Sequence, residues 1–169
     1  MRLRSPGFTL IELIVVMLVL GILAAVFIPR SNNPAIILST QAEQLAADIR
    51  YVQSLAMSQG WSGTAPTARR PYLLSFNAST YSFVDGYGVA IAHPSGTQGP
   101  IAFAGGVSVS PLPPSLPNNL LSFDGRGRPY TDFSAVLAPL ASMATISLVG
   151  GGAARALQIY PETGLVRLQ

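Results

Sequence analysis

The sequence predicts an α+β fold, in which N-terminal helices precede antiparallel β-structure. Residues 8–28 form an almost wholly apolar run, and residues 38–56 repeat apolar side chains at alternating spacings of four and three. From residue 72 onward, short runs rich in β-branched and aromatic residues alternate with glycine and proline. The 169 residues suffice for one domain with a hydrophobic core once the N-terminal run is set aside.

The composition argues against several classes of function. The net charge of +3 is too small to indicate a general nucleic-acid-binding field. The chain has no cysteine, which excludes disulfides, thiolate metal sites and a cysteine nucleophile. Its single histidine, His93, precedes Pro94 in a stretch rich in glycine and serine, so we expect a solvated loop residue. No cofactor is predicted, and the sequence has no nucleophile elbow, histidine pair or phosphate loop that would indicate an enzyme.

The N-terminal run has the length of a membrane span. As a helix, residues 8–28 would extend about 31 Å at ~1.5 Å per residue, which matches a hydrocarbon core of about 30 Å. Arg2 and Arg4 precede the run, so the positive-inside tendency places the N-terminus in the cytoplasm. A secretory signal peptide is the alternative, but its apolar core is about 7 to 15 residues long and ends in small residues. We therefore expect one membrane-spanning helix.

Glu12 is the one charged residue in this run. An unpaired carboxylate inside a membrane costs at least about 3 kcal/mol, so the residue needs a cationic partner. Neither a simple anchor nor a signal peptide supplies one.

The sequence GFTLIE at residues 7–12, after a short basic leader, resembles the class III signal of type IV pilins and type II secretion pseudopilins. The resemblance implies that a prepilin peptidase removes residues 1–7, cutting between Gly7 and Phe8, and methylates the new amine of Phe8. Glu12 of one subunit can then pair with the Phe8 amine of a neighbour and set the axial register. The implied location is the bacterial inner membrane, with a periplasmic globular domain that later enters a filament.

Residues 29–60 are expected to continue the helix in amphipathic form. Gly21 and Pro29 each weaken an α-helix, and the resemblance implies that this stretch unwinds when the subunit leaves the bilayer. A fresh helical start is expected near Pro34, and Gly60 is a suitable end. The apolar stripe is expected to pack on a sheet and consists of Leu38, Ala42, Leu45, Ile49, Val52 and Ala56.

Residues 61–169 are predicted to form a β-rich globular domain. A four-residue turn at 161–164 would place Ile159 opposite Val166 and Leu157 opposite Leu168, so that four apolar side chains share one face. The proline-rich residues 111–117 are expected to be an extended connection. Strands are expected at residues 72–76, 80–84, 88–92, 101–110, 120–123, 145–149, 155–160 and 165–168.

The C-terminal half resembles a narrower group. FDGRGRP at residues 123–129, the strand at 155–160 and the Thr163-Gly164 turn are similar to the GspH/FimT group of minor pseudopilins and pilins. The resemblance implies a pilin-like fold and a non-enzymatic subunit that polymerises into or caps a type II secretion pseudopilus or a type IV pilus. It also implies three partners: other pilin subunits, the prepilin peptidase and the inner-membrane assembly platform.

Some members of that group bind DNA during natural transformation through a C-terminal Gly-Arg-x-Arg sequence. Here residues 164–167 read GLVR and keep only Arg167. Arg126 and Arg128 could contact phosphate from a loop, but a turn between strands is the commoner role of such a sequence. A DNA-binding minor pilin is therefore the alternative function, with these three arginines as its candidate contacts.

Overall fold

The computed structural model of the chain describes residues 9–27, 33–59, 72–85, 88–131 and 138–169. The chain divides into two compact units, Met1–Asn33 and Pro34–Gln169. The first contains helix α1 (Leu10–Phe27). The second contains helix α2 (Pro34–Gln59) and two antiparallel sheets. This is the predicted α+β, pilin-like arrangement of helices before β-structure.

Helix α1 begins directly after Thr9. The Thr9 hydroxyl accepts a hydrogen bond from the backbone N–H of Glu12, with N and Oγ1 3.3 Å apart. A threonine at the N-cap with an acid three residues later has the spacing of a capping box. Glu12 also lies in the first turn, where the helix dipole favours a negative charge. The sequence around the acid therefore defines the start of the helix.

The 18 residues of α1 extend about 27 Å, and Gly21 lies within the helix. Within the described ranges, neither helix combines the length and the apolar character needed to cross a membrane. Phe8 and Pro29 lie outside the described residues.

Helix α2 begins at Pro34, as the sequence predicts, because proline suits the first turn of a helix. All six residues of the predicted apolar stripe are at most 1% exposed, which confirms that the stripe is the buried face. The helix ends at Gln59, and residues 60–71 lie outside the described residues.

The second unit places α2 against both of its sheets. In chain order the strands are β1 (Tyr72–Phe76), β2 (Thr80–Asp85), β3 (Ile101–Ala102), β4 (Ser108–Val109), β5 (Leu120–Phe123), β6 (Pro129–Tyr130), β7 (Ala144–Gly150), β8 (Ala153–Ile159) and β9 (Val166–Leu168). The five-stranded sheet has the order β3-β2-β1-β5-β6, and the four-stranded sheet has the order β4-β7-β8-β9. The helix contacts β1 and β5 of one sheet and β7, β8 and β9 of the other, so the core lies between helix and strands.

The predicted register of the last hairpin is confirmed. Leu157 pairs with Leu168 and Ile159 with Val166, while Gln158 lies opposite Arg167. The first hairpin, β1 with β2, also forms where the sequence predicts it.

The predicted strand at 88–92 is wrong. The described part of this segment makes only isolated bridges, between Val84 and Ala90 and between Ala92 and Gln98. The N–H of Ile91 donates to the carbonyl of Phe83 and that of Asp85 to the carbonyl of Val89, so the segment stays beside β2. It forms no continuous strand.

The predicted strand at 101–110 is also wrong in its extent. Two short strands, β3 and β4, take its place and belong to different sheets. Gly105 and Gly106, both with positive φ, turn the chain between them. Strand β6 was missed because it is only two residues long and starts with proline, a position that tolerates the missing N–H.

Candidate assembly surfaces

Of the two predicted assembly residues, Glu12 and Phe8, the structure describes Glu12. Glu12 is exposed and is the single charged residue of α1. Its side chain is therefore available to a partner outside the subunit. Gly7 and Phe8, the predicted processing residues, and Pro29 lie outside the described residues.

Two of the C-terminal sequences that resemble the GspH/FimT group, FDGRGRP and the Thr163-Gly164 turn, meet near the end of α2. The Gln53 amide Nε2 donates to the carbonyl of Gly127 at 2.9 Å and to that of Thr163 at 3.0 Å. One side chain thus joins the turn before β6 to the turn before β9. We call this surface the turn cluster; it comprises Gln53, Met57, residues 124–128 and residues 162–165.

Gly164 packs too closely in the turn cluster to carry a side chain. Its φ is +65°, and a Cβ atom there would lie 2.3 Å from the carbonyl oxygen of Gly127 and 2.9 Å from Cε1 of Phe123. Glycine is needed both for the left-handed backbone and for the close approach.

Asp124 forms the turn between β5 and β6. Its buried carboxylate accepts the backbone N–H groups of Arg126 and Arg128 through Oδ1, at 2.9 and 2.8 Å. Its other oxygen, Oδ2, lies 3.2 Å from Nε of Arg128. The predicted turn role of this sequence is the one that the structure shows.

The three candidate DNA contacts have different surroundings. Arg128 is already paired with Asp124, whereas Arg126 is exposed on the same turn. Arg167 lies on β9 opposite Gln158. The Arg128 side chain is still 47% exposed, so DNA binding through these arginines stays a prediction.

A buried polar cluster between α2 and β2 corrects the expectation for His93. The imidazole is only 10% exposed, and its Nε2 lies 2.9 Å from Oδ1 of Asp48. Tyr81 donates to the other carboxylate oxygen, Oδ2 of Asp48, at 2.5 Å. The Gln44 amide donates to Oδ1 at 3.2 Å and to Oδ2 at 3.3 Å. Asp48 is itself 4% exposed, so these donors compensate for its burial.

The other ring nitrogen of His93 belongs to a local turn. Nδ1 accepts the backbone N–H of Ser95 at 3.1 Å and lies 2.7 Å from the Ser95 hydroxyl. An accepting Nδ1 implies that Nε2 carries the proton and donates it to Asp48. The order hydroxyl, imidazole, carboxylate is that of a general-base relay, but Nδ1 is already engaged by a backbone donor. We interpret the contacts as an anchor that holds residues 93–97 on α2.

Tyr81 shows the electrostatic effect of this cluster. Burial raises the pKa of the Tyr81 hydroxyl, and the hydrogen bond to Asp48 and the negative charge of that carboxylate raise it further. Sequence analysis missed the cluster, although Asp48 lies three residues after Leu45 and four before Val52, the spacing of the buried stripe. Among the described residues, no group of three or more histidine, aspartate or glutamate side chains could hold a metal ion.

Comparison with known families agrees with the N-terminal analysis. The family model described as the prokaryotic N-terminal methylation motif matches residues 2–28. The match covers the N-terminal signal alone and indicates a type IV pilin-like or pseudopilin chain, without separating the GspH/FimT group from others. No curated protein and no solved structure matches the chain significantly.

Proposed function

We propose that this chain is a non-enzymatic minor pilin or pseudopilin. It is cut between Gly7 and Phe8, methylated at Phe8, and polymerises into or caps a type II secretion pseudopilus or a type IV pilus, where it supports protein secretion or pilus biogenesis. The observation that carries the proposal is the methylation motif at residues 2–28, together with an exposed acid in the first turn of an apolar helix.

In this proposal residues 1–7 are the leader, and residues 8–28 hold the unassembled subunit in the bacterial inner membrane. The N-terminus is cytoplasmic and residues 61–169 are periplasmic, with residues 29–60 continuing the helix toward them. Gly21 and Pro29 are the positions at which the helix unwinds on assembly. The partners are the prepilin peptidase, the inner-membrane assembly platform and other filament subunits.

Glu12 has two separable roles. Its backbone N–H completes the cap formed by Thr9, which needs no charge on the Glu12 side chain. Its carboxylate pairs with the methylated amine of Phe8 in a neighbouring subunit, and that role does need the charge. Both ions leave water on assembly, so a subunit that keeps only one of them bears an uncompensated desolvation penalty.

The test uses variants that separate these roles, expressed as the full chain in the strain that produces it. Glu12→Gln keeps a polar side chain but loses the charge, and Thr9→Ala loses the cap but keeps the charge. We expect Glu12→Gln to insert and be processed but to be absent from sheared filaments, while Thr9→Ala enters them.

Two results would contradict the proposal. Normal incorporation of Glu12→Gln would remove the ion pair from the mechanism. Mass spectrometry showing a mature N-terminus other than methylated Phe8 would remove the processing step.

A further inference from the structure

The first two turns of α2 have a sequence that favours a helix only weakly. Residues 36–40 include two isoleucines, a serine and a threonine, all of which have a lower helix propensity than alanine or leucine. The hydroxyl groups of Ser39 and Thr40 both donate to the carbonyl of Ile36 at 2.9 Å, which competes with the backbone hydrogen bonds of the helix. The first turn has no acidic residue to interact with the helix dipole. Contacts from elsewhere in the chain must therefore keep this end of the helix from fraying.

One set of contacts comes from the turn between β3 and β4. The Gln41 side chain accepts, through Oε1, a hydrogen bond from the backbone N–H of Ala104 at 3.2 Å. Gly105 has φ +64°, and a Cβ atom there would lie 2.7 Å from Cγ2 of Ile37. The turn lies so close to the helix that this position needs glycine.

The second set of contacts comes from the turn between β7 and β8. Gly151 has φ +59°, and a Cβ atom there would overlap Cβ of Pro34, the first residue of α2. The two turns also support each other, because β4 pairs with β7 directly beside them. A Cβ atom on Gly150 would lie 2.9 Å from Cγ2 of Val107, so these two residues pack closely as well.

We call the two turns, residues 104–106 and residues 150–152, the collar. The first of them passes from the five-stranded sheet to the four-stranded sheet, since β3 and β4 belong to different sheets. Helix formation is cooperative, so unwinding that starts at one end continues until it meets a turn that tertiary contacts hold. In α2 the collar holds the helix from its first residue onward.

We propose that the collar sets the limit of helix unwinding when the subunit leaves the membrane and enters a filament. Unwinding that starts at Gly21 and Pro29 ends at Pro34, so α2 stays helical and the sheets packed on it keep their structure. This inference rests on the proposed function. It names the part of the fold that confines the conformational change to residues before α2.

The absence of lysine makes a proteolysis test specific, because one introduced lysine is the only site for a protease that cuts after lysine alone. Thr40 is exposed in the second turn of α2, so Thr40→Lys places this site beside the collar. Cleavage there requires local opening of the helix, and its rate follows the population of the open form. The full-length variant is expressed in the producing strain, and its sheared filaments are treated with the protease and analysed by immunoblot. We expect Thr40→Lys alone to resist cleavage.

Gly105→Ala and Gly151→Ala test the collar in the Thr40→Lys chain. Gly106→Ala and Gly152→Ala are their matched controls, because these neighbouring glycines have φ of +72° and +79° but no atom lies within 4 Å of the added methyl group. The backbone cost is thus common to all four variants, and only the first two disturb a close contact with the helix. Each collar variant should be cut after residue 40 at least about tenfold faster than its control, the effect of about 1.4 kcal/mol.

A lysine in the middle of the same helix separates local opening from unfolding of the whole domain. Ala47 is exposed, and Ala47→Lys should stay uncut when it is combined with the collar variants. Gln41→Ala provides a test that adds no atom, for the case in which the glycine variants do not fold. It removes the hydrogen bond to Ala104 and should raise cleavage after residue 40 but not after residue 47.

The inference is overturned if Thr40→Lys alone is cut as fast as the collar variants, or if the collar variants are cut no faster than their controls. Equal cleavage after residues 40 and 47 would overturn it too, since the collar would then stabilise the whole domain and not one end of α2. The proposed function survives these results, because the chain is still present in filaments. If the chain is absent from filaments before protease is added, the proposed function fails and this inference fails with it.

Discussion

Gly164→Ala tests whether the turn cluster is held together by close backbone packing. The new methyl group would lie 2.3 Å from the carbonyl oxygen of Gly127 and 2.6 Å from Nε2 of Gln53. The carbonyl belongs to the backbone of the β5–β6 turn, which Asp124 fixes from the other side. Neither partner can move without breaking the hydrogen bond between Gln53 and Gly127.

The loss of stability expected for Gly164→Ala has two contributions. An alanine at φ +65° costs roughly 1–2 kcal/mol for the left-handed backbone. Overpacking against fixed atoms adds about 1–3 kcal/mol, so the free energy of unfolding should fall by about 2–5 kcal/mol. With a urea dependence of about 2 kcal/mol per molar, a loss of about 3 kcal/mol lowers the urea midpoint by about 1.5 M.

Gly152→Ala is the matched control. Gly152 has φ +79°, but no atom lies within 4 Å of the position that its Cβ would take, so this variant carries the backbone cost alone. The assay is urea unfolding of the full chain in detergent micelles, followed by circular dichroism. Equal losses of stability in the two variants would refute the packing argument, since only the φ contribution would then matter.

Two further predictions concern the buried polar cluster. Asp48→Ala leaves the Tyr81 hydroxyl and His93 Nε2 without their acceptor, so it should lower the free energy of unfolding by about 3 kcal/mol. Glu43→Ala is the control, because it removes an exposed acid from the same helix. It should change the free energy of unfolding by less than about 0.5 kcal/mol. Similar urea midpoints for the two variants would contradict the structural role of Asp48. The raised pKa of Tyr81 predicts a loss of stability in alkali. The folded chain keeps the Tyr81 proton, while the unfolded chain releases it near the ordinary pKa of about 10. The contribution of this proton to the free energy of unfolding is therefore complete below about pH 10 and declines above it by up to about 1.4 kcal/mol per pH unit. Urea midpoints at pH 9 and 11 should therefore differ more for the wild type than for Tyr81→Phe, and lysine and cysteine, which are absent, cannot obscure the comparison. Identical pH dependence in both proteins would count against the raised pKa.

The parts of the fold that the sequence predicts are those in which local pattern and tertiary packing agree. The stripe on α2 has helical spacing and is buried along its whole length. In the last hairpin, the turn at 161–164 and the alternation of apolar residues specify the same register. The single strand predicted at residues 101–110 is wrong because the apolar side chains continue through the segment while Gly105 and Gly106 turn the backbone.

The candidate surfaces were harder to predict for a different reason. Glu12 stands out because an acid in an apolar run conflicts with its surroundings, and no tertiary information is needed to notice it. Gln53 and His93 have no such local signal. Gln53 matters because two turns separated by more than thirty residues both present carbonyls to it. His93 matters because a turn carries its ring to Asp48, 45 residues earlier in the chain. Contacts of this kind depend on topology, which the local pattern does not encode.

The contacts within FDGRGRP change what the C-terminal resemblance means. Asp124 binds two backbone N–H groups, Gly127 accepts the Gln53 amide, and Gly164 allows the two turns to touch. These groups stabilise the end of the domain, and their hydrogen bonds are already made within the fold. A shared sequence at these positions is therefore evidence for a shared architecture, and it would persist in relatives with different partners. Specificity must come from side chains that the turn holds outward without using them, and Arg126, Glu162 and Leu165 are such side chains. Substituting them should leave the fold intact and change only what the domain contacts.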